Sequence, residues 1–502
     1  MSNRFEAERA KKLETIKSLG HDPYGKKLPR EPDPIGTVVQ DITLSLANSH
    51  DMRITNYRRY FSKDDAREGL GRYIAGRVVS KNNKGKLKFF WVKDDTGSIQ
   101  VMFSKNQFDE KEWELVSCIE VGDIIAVPGL GMKTEAGEIT LFAGGCLEKK
   151  TANPDCPKTP APYYVEIVCK SLAHPPEKFH GIKNEEIMIR QRYLPMIWDD
   201  DLLKNLIQRS RIISSLRKYL NEEGFLEVET PVLMSQESGA AAKPFSTHHN
   251  ALDMDLKLRI APELALKKLL VGGMPKIYEI GKVFRNEGID KTHNPEFTIM
   301  ELYWAYADLT TIQELTADLI KTLAKGTKAQ VLFERFHVMS YSLAFNMHYH
   351  KDIFKDEKFF VEEAKKPIGD EPGFESVNYW KVIDHLFDKV IQPNLINPTF
   401  IVDYPIHLCP LAKPNKDNQT SGRFELFVNG MELANAYTEL NNPEIQKAFF
   451  MEQGLIDEDF LNALKVGMPP AGGLGIGIDR LVMLLLGLDS IRDVINFPLT
   501  RN

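Results

Sequence analysis

Arginines, carboxylates and phenols grouped in three stretches carry the chemistry available to this sequence. In FRNEGIDKTHNPEFTIMELYWAY (residues 284–306), Arg285 and Glu287 sit at the mouth of a loop. An arginine fork grips a phosphate or carboxylate at two points and a neighbouring acid orients it; a solvated surface pair is the other reading of these two residues. Beyond the loop, alternation at period two places Phe297, Ile299, Glu301 and Tyr303 on one face, an acid and a phenol beside an aromatic platform.

The second stretch, RFELFVNGMELANAYTEL (423–440), contains Asn429-Gly430, the dipeptide of a tight hairpin turn. That turn pairs Val428 with Met431, so Glu425 faces Ala434, Glu432 faces Phe427, and the two carboxylates share a face. Diagonal neighbours across a hairpin lie about 7–8 Å apart, within reach of one hard cation; an exposed acidic face is the competing reading. Asn435, Tyr437 and Glu439 follow at spacing two. Strict alternation sets Glu432 and Asn435 on opposite faces, so their joint use requires a β-bulge near Ala434. The third stretch, GGLGIGIDRLVMLLL (472–486), reads as a glycine-rich strand running into an apolar helix with Arg480 in its first turn, by itself a weak sign of phosphate binding.

The elements that must hold these residues follow from punctuation and periodicity. Gly288 and Asn294-Pro295 mark the loop between two antiparallel strands. A long helix over 202–221 presents Leu206, Ile213, Leu216 and Leu220; Gly224 stops it, and the strand GFLEVETPVL ends at Pro231. Residues 310–400 mix helices with aromatic-rich loops and show no chemistry. Between Tyr73 and Ala143, short alternating strands (YIAGRVVS, KFFWVKDD, SIQVMF, DIIAVPG, EITLFA), with a helix near 107–119, fit a five-stranded OB-type barrel. Phe89 and Trp91, near Lys84, Lys86 and Lys88, offer stacking surface beside positive charge, as unpaired bases require; core packing is the alternative. Residues 4–19 form a charged amphipathic helix whose Arg4, Arg9, Lys11, Lys12 and Lys17 face either an RNA backbone or solvent. Prolines in 29–36 mark a linker. The expected plan is an N-terminal helix and linker (1–60), a barrel (61–172) with a Cys- and Pro-containing insertion at 144–170, a hinge (173–200) and a larger domain (201–502) with a helical insertion at 325–400.

Over 502 residues, 43% hydrophobic and 27% charged, core size is not limiting, and two or three domains are expected. The formal net charge of −6 gives no global attraction for nucleic acid, so any RNA site is a local surface. Five cysteines (Cys118, Cys146, Cys156, Cys169, Cys409) without a close pair argue against a disulfide framework or structural zinc. The first thirty residues lack the apolar core of a secretory signal, and no run of about 18 apolar residues occurs, so a soluble cytoplasmic protein without a membrane partner is expected.

Three segments, in this order, resemble the motifs of class II aminoacyl-tRNA synthetases: 202–231 is similar to motif 1, FR-x-E with its loop and strand to motif 2, and GGLGIGIDR to motif 3. The loop text NEGIDKTHNPEFT is similar to that of lysyl-tRNA synthetases, and the resemblance runs over most of residues 60–502. It implies an α+β fold: an N-terminal five-stranded OB-fold β-barrel that binds the anticodon, and a C-terminal class II domain built on a mainly antiparallel sheet flanked by helices. The implied activity is ATP-dependent conversion of L-lysine to lysyl-adenylate and transfer to the 3′-terminal ribose of tRNA(Lys). By the same resemblance, Arg285 holds the α-phosphate and the attacking carboxylate, and Arg480 packs on adenine and phosphates. Glu287, His293, Asn294 and Phe297 contact ATP, and Glu425 and Glu432 bind Mg²⁺. Gly239 and Glu263 hold the α-amino group, while Glu301, Tyr303, Asn435, Tyr437 and Glu439 line the lysine pocket. Phe89 stacks on an anticodon base, and Gln100 and Glu138 read base edges. Motif 1 implies a homodimer. Departures are Lys243 for arginine, Cys409 for serine, Lys465-Val466 for Glu-Tyr, and Asn82 where arginine is common. An aspartyl or asparaginyl enzyme would share all three motifs, but an acidic pocket suits neither substrate. A stand-alone paralogue that lysylates a protein would lack the barrel, and a nonenzymatic RNA-binding relative would tolerate loss of Arg285, Glu425, Glu432 or Arg480, which are all intact.

Overall fold

The computed structural model describes residues 2–25, 27–28, 31–48, 71–134, 136–143, 165–173, 185–235, 242–368, 378–453 and 456–500. The chain forms two compact units, Met1–Leu203 and Lys204–Asn502.

The first unit contains α1 (Ser2–Ser18), α2 (Ile35–Asn48), β1 (Gly71–Lys84), β2 (Leu87–Lys93), β3 (Ser98–Ser104), α3 (Glu110–Cys118), β4 (Ile124–Lys133), β5 (Ile139–Ala143), β6 (Glu166–Cys169), α4 (Glu185–Arg190) and α5 (Pro195–Trp198). Its sheet order is β1-β2-β3-β5-β4-β6, and β1 also pairs with β4, which joins the first five strands into a ring. Alternation decides which side chains fill it: Phe90 and Val92 of β2 are buried among Ile74, Val101 and Ile125, while Phe89 and Trp91 point to the other face.

Two expectations need correction here. The five-stranded plan omits β6, which pairs with β4 and lies inside the span assigned to the 144–170 insertion; residues 144–164 fall outside the described residues. Residues 35–48 are not linker but a helix, whose Ile35, Val38 and Ile42 are buried in the barrel core. Their helical spacing was masked by the prolines just before them, which mark the approach to the helix and not its absence. The basic face of α1 is also partly spoken for: Arg9 is buried and donates to the Val121 and Ser171 carbonyls at 2.8 and 2.9 Å, and Lys12 pairs with Glu120.

The second unit begins within α6 (Asp200–Glu222). It continues through β7 (Leu226–Glu227), β8 (Leu233–Met234), β9 (Ser246–His249), β10 (Met254–Leu258), α7 (Glu263–Val271), β11 (Lys276–Phe284), β12 (Glu296–Ala305), α8 (Leu309–Ala324), β13 (His337–Ser340), α9 (Tyr341–Tyr349), α10 (Glu357–Ile368), α11 (Tyr379–Leu386) and β14 (Thr399–Pro405). It ends with β15 (Thr420–Val428), β16 (Met431–Thr438), α12 (Pro443–Gln453), α13 (Glu458–Gly467), β17 (Ala471–Gly477) and α14 (Ile478–Leu486). Eight strands make one sheet in the order β13-β14-β15-β16-β17-β12-β11-β7, antiparallel except at its two ends, where β13 runs parallel to β14 and β7 to β11. No described helix is long and apolar enough to cross a membrane.

The two faces of this sheet differ. Leu302, Leu474, Ala436 and Phe424 stand opposite one another and, with Met300, Ile476 and Leu426, pack against α6, α8 and α14 in the main core. Each fully buried aliphatic or aromatic side chain there contributes roughly 1.5–3 kcal/mol. The other face carries an apolar cluster at each end, one with α7 and α13 and one with α9 to α11. Between these clusters lies a polar strip.

Candidate active site

Cross-strand pairing builds that strip in two rows. Glu425, Asn435, Gly475, Glu301 and Glu279 stand opposite one another in turn on β15, β16, β17, β12 and β11; Arg423, Tyr437, Gly473, Tyr303 and Ile277 form the next row. Residues directly opposite share a face, so side chains far apart in sequence line one surface. The glycines of β17 keep the middle of both rows open: a Cβ on Gly473 would strike Glu439 and lie 2.7 Å from Tyr303 Cε1. Here the glycine run makes side-chain room between β12 and β16.

One end of the strip is a buried acidic pocket. Glu263 opens α7, and one turn later Lys267, fully buried, places its Nζ 2.5 Å from Glu263 Oε1 and 2.6 Å from Glu439 Oε2. Neither Glu439 oxygen receives a well-directed hydrogen bond among the described residues. The Tyr303 hydroxyl donates to Glu301 Oε2 at 3.2 Å. Burial, reinforced by Glu263, pushes the Glu301 carboxyl up to about 8 against the pull of Tyr303, Arg285 and Lys267. Burial also raises Glu439, against Lys267 and with Glu263. Burial alone would lower Lys267, but Glu263 and Glu439 more than offset it and hold the ammonium above its usual range. At the far end of the row Glu279 is already satisfied, by Arg259 at 2.5 Å and the Thr230 hydroxyl at 2.7 Å. Lys267 went unnoticed in the sequence; its signal was the Glu-to-Lys spacing of four in PELALKK.

Next to the pocket, Arg285 stands at the end of β11 with its Cζ 5.2 Å from the Phe297 ring centre, and its buried Nε has no hydrogen-bond partner among the described residues. The loop folds back so that His293 meets Arg480: Nε2 lies 3.0 Å from Arg480 Nη2, and Nδ1 lies 2.8 Å from Asp290 Oδ2. A guanidinium only donates, so Nε2 accepts and Nδ1 carries the proton toward Asp290. Burial raises the Asp290 carboxyl, but the Thr292 backbone N–H and His293 outweigh it and hold the carboxyl near 2. Asn294 is buried and donates to the Glu296 carbonyl at 2.6 Å, whereas Glu287 is exposed. Arg480 also donates to the Glu432 carbonyl at 2.8 Å. Its neighbour Asp479 accepts from the Thr298 backbone N–H at 2.8 Å and pairs with Arg209 of α6 at 2.6 Å, fixing the start of α14 beside β12.

The hairpin contains the bulge that joint use of Glu432 and Asn435 requires. Phe427 faces Glu432 and Leu426 faces Ala434, leaving Leu433 as the extra residue. Glu425 therefore faces Asn435, not Ala434 as simple alternation gave, and Glu425, Glu432 and Asn435 share a face. Glu425 is buried, pairs with Arg423, and accepts from the Tyr404 hydroxyl at 2.7 Å and from Asn435 Nδ2 at 3.2 Å. Glu432 is partly exposed, 3.7 Å from Arg480. Asp384 and Asp388, from the helical region that showed no chemistry in the sequence, also crowd this end. Burial first, then Asp384, Glu425 and Glu432, pushes Asp388 up to about 7. Gly239 lies outside the described residues.

On the barrel, Phe89, Met102 and Phe142 form one row of the outer face, and Trp91, Gln100 and Thr140 the next. Lys84 Nζ is 5.9 Å from the Phe89 ring centre, and Gln100 accepts from the Thr140 hydroxyl at 3.0 Å. Glu138 is exposed in the turn leading into β5.

Residues 184–501 match the family described as tRNA synthetases class II (D, K and N), and residues 73–146 match the OB-fold nucleic acid binding domain. Three relatives named lysine-tRNA ligase illustrate the similarity. The protein from Carboxydothermus hydrogenoformans is 39% identical over 516 residues, covering 98% of this chain and 97% of that protein. The one from Halalkalibacterium halodurans is 40% identical over 521 residues, 99% and 96% of the two chains. The one from Pelotomaculum thermopropionicum is 43% identical over 457 residues, 85% and 86%. With full-length similarity of this order, and a large sheet that gathers all three stretches, the chain belongs to the class II tRNA synthetases of the D, K and N group.

Proposed function

We propose that this protein is a lysine-tRNA ligase. The observation that carries the choice of amino acid is the buried pocket in which Glu263, Glu301, Glu439 and Tyr303 converge beside Arg285. A flexible four-carbon side chain ending in an ammonium needs acceptors at depth, and a buried charge needs a partner. Glu301, Glu439 and the Tyr303 hydroxyl supply them, Asn435 and Tyr437 wall the pocket, and Glu263 with Gly239 takes the α-amino group. An aspartate carboxylate in the same place would meet like charge.

Arg285, whose Nε has no hydrogen-bond partner among the described residues, grips the lysine carboxylate and the α-phosphate of ATP together, while Phe297 and Arg480 enclose the adenine and His293, Asn294 and Glu287 hold the phosphates and ribose. A carboxylate oxygen attacks the α-phosphorus, the bond to the β-phosphate breaks, and pyrophosphate leaves lysyl-adenylate. A terminal ribose hydroxyl of tRNA then attacks the lysyl carbonyl, and AMP departs. Positioning and neutralisation of charge account for such chemistry without a covalent nucleophile on the enzyme.

Among the described residues no group of three or more acids, histidines or cysteines is placed to hold a metal. Magnesium commonly takes one or two carboxylates and completes its shell with substrate phosphates, and Glu425 and Glu432, on one face of the hairpin, fit that pattern. They would hold Mg²⁺ against the ATP phosphates, where it supplies positive charge. Phe89 stacks on an anticodon base with Gln100 and Glu138 at base edges, and α6 with the strand after it forms a twofold dimer interface. ATP–pyrophosphate exchange tested with each of the twenty amino acids decides the reading: lysine alone is expected to drive it, and exchange driven by aspartate or asparagine in its place overturns it.

A further inference from the structure

Lys267 lies in the middle of the amino-acid pocket, and the reaction as described gives it nothing to do. Its side chain is fully buried, within 2.6 Å of both Glu263 and Glu439, and its Nζ is 5.9 Å from the centre of the Tyr303 ring. The charged or titratable groups that face it are Glu263 from its own helix, Glu439 from the bridge after β16, and Tyr303 and Glu301 from β12.

Charge counting gives it a role. Three carboxylates share the pocket, while lysine brings two ammonium groups and a carboxylate that goes to Arg285. Three acids against two ammoniums leave one surplus negative charge in a buried space, which is costly. We propose that Lys267 is a positioning residue that cancels this surplus through Glu263 and Glu439, leaving two negative charges to match the two ammonium groups of lysine. The inference rests on reading the pocket as a lysine site. An amino acid with an uncharged side chain brings only one ammonium and leaves one pocket charge unmatched, so the same balance selects for lysine. Burial first, and Glu263 second, raise the Glu301 carboxyl to about 8, in keeping with a pocket where a further negative charge is costly.

Exchange kinetics of three variants test this, with wild-type exchange on lysine as control; if wild type does not activate lysine, the reading of the pocket fails, not this inference alone. Lys267→Met should raise the KM for lysine at least about tenfold near pH 7 and leave the KM for ATP within about twofold, and the lysine defect should shrink toward about pH 6, where one of the three acids keeps a proton and cancels the surplus in place of the lysine, and grow as pH rises. Lys267→Arg should keep the wild-type pH profile. Glu439→Gln alone leaves one net negative charge, whereas Glu439→Gln with Lys267→Met restores two, so the double variant should bind lysine more tightly than Glu439→Gln alone. Should the single Lys267→Met protein not fold, this last comparison decides. A lysine KM unchanged in Lys267→Met, a defect of equal size at every pH, or a double variant weaker than Glu439→Gln overturns the proposal.

Discussion

Among the described residues two lysines are buried completely, and they make different bargains with their surroundings. In the barrel unit, Lys170 donates to Asp123 at 2.7 Å and to the Cys118 carbonyl at 2.9 Å; Asp123 in turn accepts from the backbone N–H groups of Ser171 and Glu120 at 2.9 and 2.7 Å. One cation meets one anion, and both Asp123 oxygens accept further backbone hydrogen bonds. In the sheet unit, Lys267 is shared between two acids with a third nearby, and the Glu439 oxygens lack well-directed donors. A closed network holds a fold in place; one with charge to spare waits for something else to complete it.

The contrast breaks most visibly if Lys170 is replaced. Lys170→Met strands Asp123 in the interior, and the unfolding free energy should fall by roughly 3–5 kcal/mol, read by denaturant melts, while lysine-dependent exchange of the folded protein stays near wild type. Loss of exchange with unchanged stability would erase the distinction. Glu439→Gln should do the reverse: kcat/KM for lysine falls at least about a hundredfold, about 2.7 kcal/mol, with little change in melting. Phe89→Ala sharpens the difference between the units, since losing one base stack should cost about 1–3 kcal/mol in tRNA charging and leave exchange untouched. Comparing the two half-reactions checks it, and equal losses in both would refute it.

A further effect is one of pH. Glu301 is raised from 4.5 to about 8 in the folded state. An acid raised on folding holds its proton in the native state after the unfolded chain has lost it, so its contribution to stability declines as pH rises from about 4.5 to about 8. Lysine binding runs the other way: the substrate ammonium needs the ionised carboxylate, so affinity should climb between about pH 6 and about pH 8, by up to tenfold per unit, about 1.4 kcal/mol. Titration calorimetry in buffers of different ionisation enthalpy should detect proton release on binding, and its absence would show that Glu301 is already ionised.

Much of this was legible in the letters because strands write their faces at period two. The grouping of Phe297, Ile299, Glu301 and Tyr303, the turn at Asn429-Gly430 and the need for a bulge all follow from alternation. What stayed hidden depends on distant pairing. Glu439 and Glu263 are more than 170 residues apart, and only the sheet register and the docking of α7 bring Lys267 between them. Asp384 and Asp388 were silent for the same reason. The helix over 35–48 was missed on local grounds, since prolines at its doorstep outweighed the apolar spacing behind them.

Leu433, the odd residue of the hairpin, has a consequence for how the chain can change length. Strands β12, β16 and β17 face the main core on one side and the polar strip on the other, so a slip of one residue would trade Glu301 for a leucine or methionine and bury an acid where the core should be. Along these strands insertions and deletions are thus confined to loops, except where the ladder has absorbed a residue already, as it has at Leu433. Deleting Leu433 would leave Glu432 and Asn435 two positions apart on one face of a regular ladder, with Phe427 still opposite Glu432 and Glu425 still opposite Asn435, so a one-residue loss is tolerated there without turning either limb over. By local rules that deletion is an improvement. The irregularity acts as a phase shifter, letting the turn and the pocket each keep their own beat on a single strand.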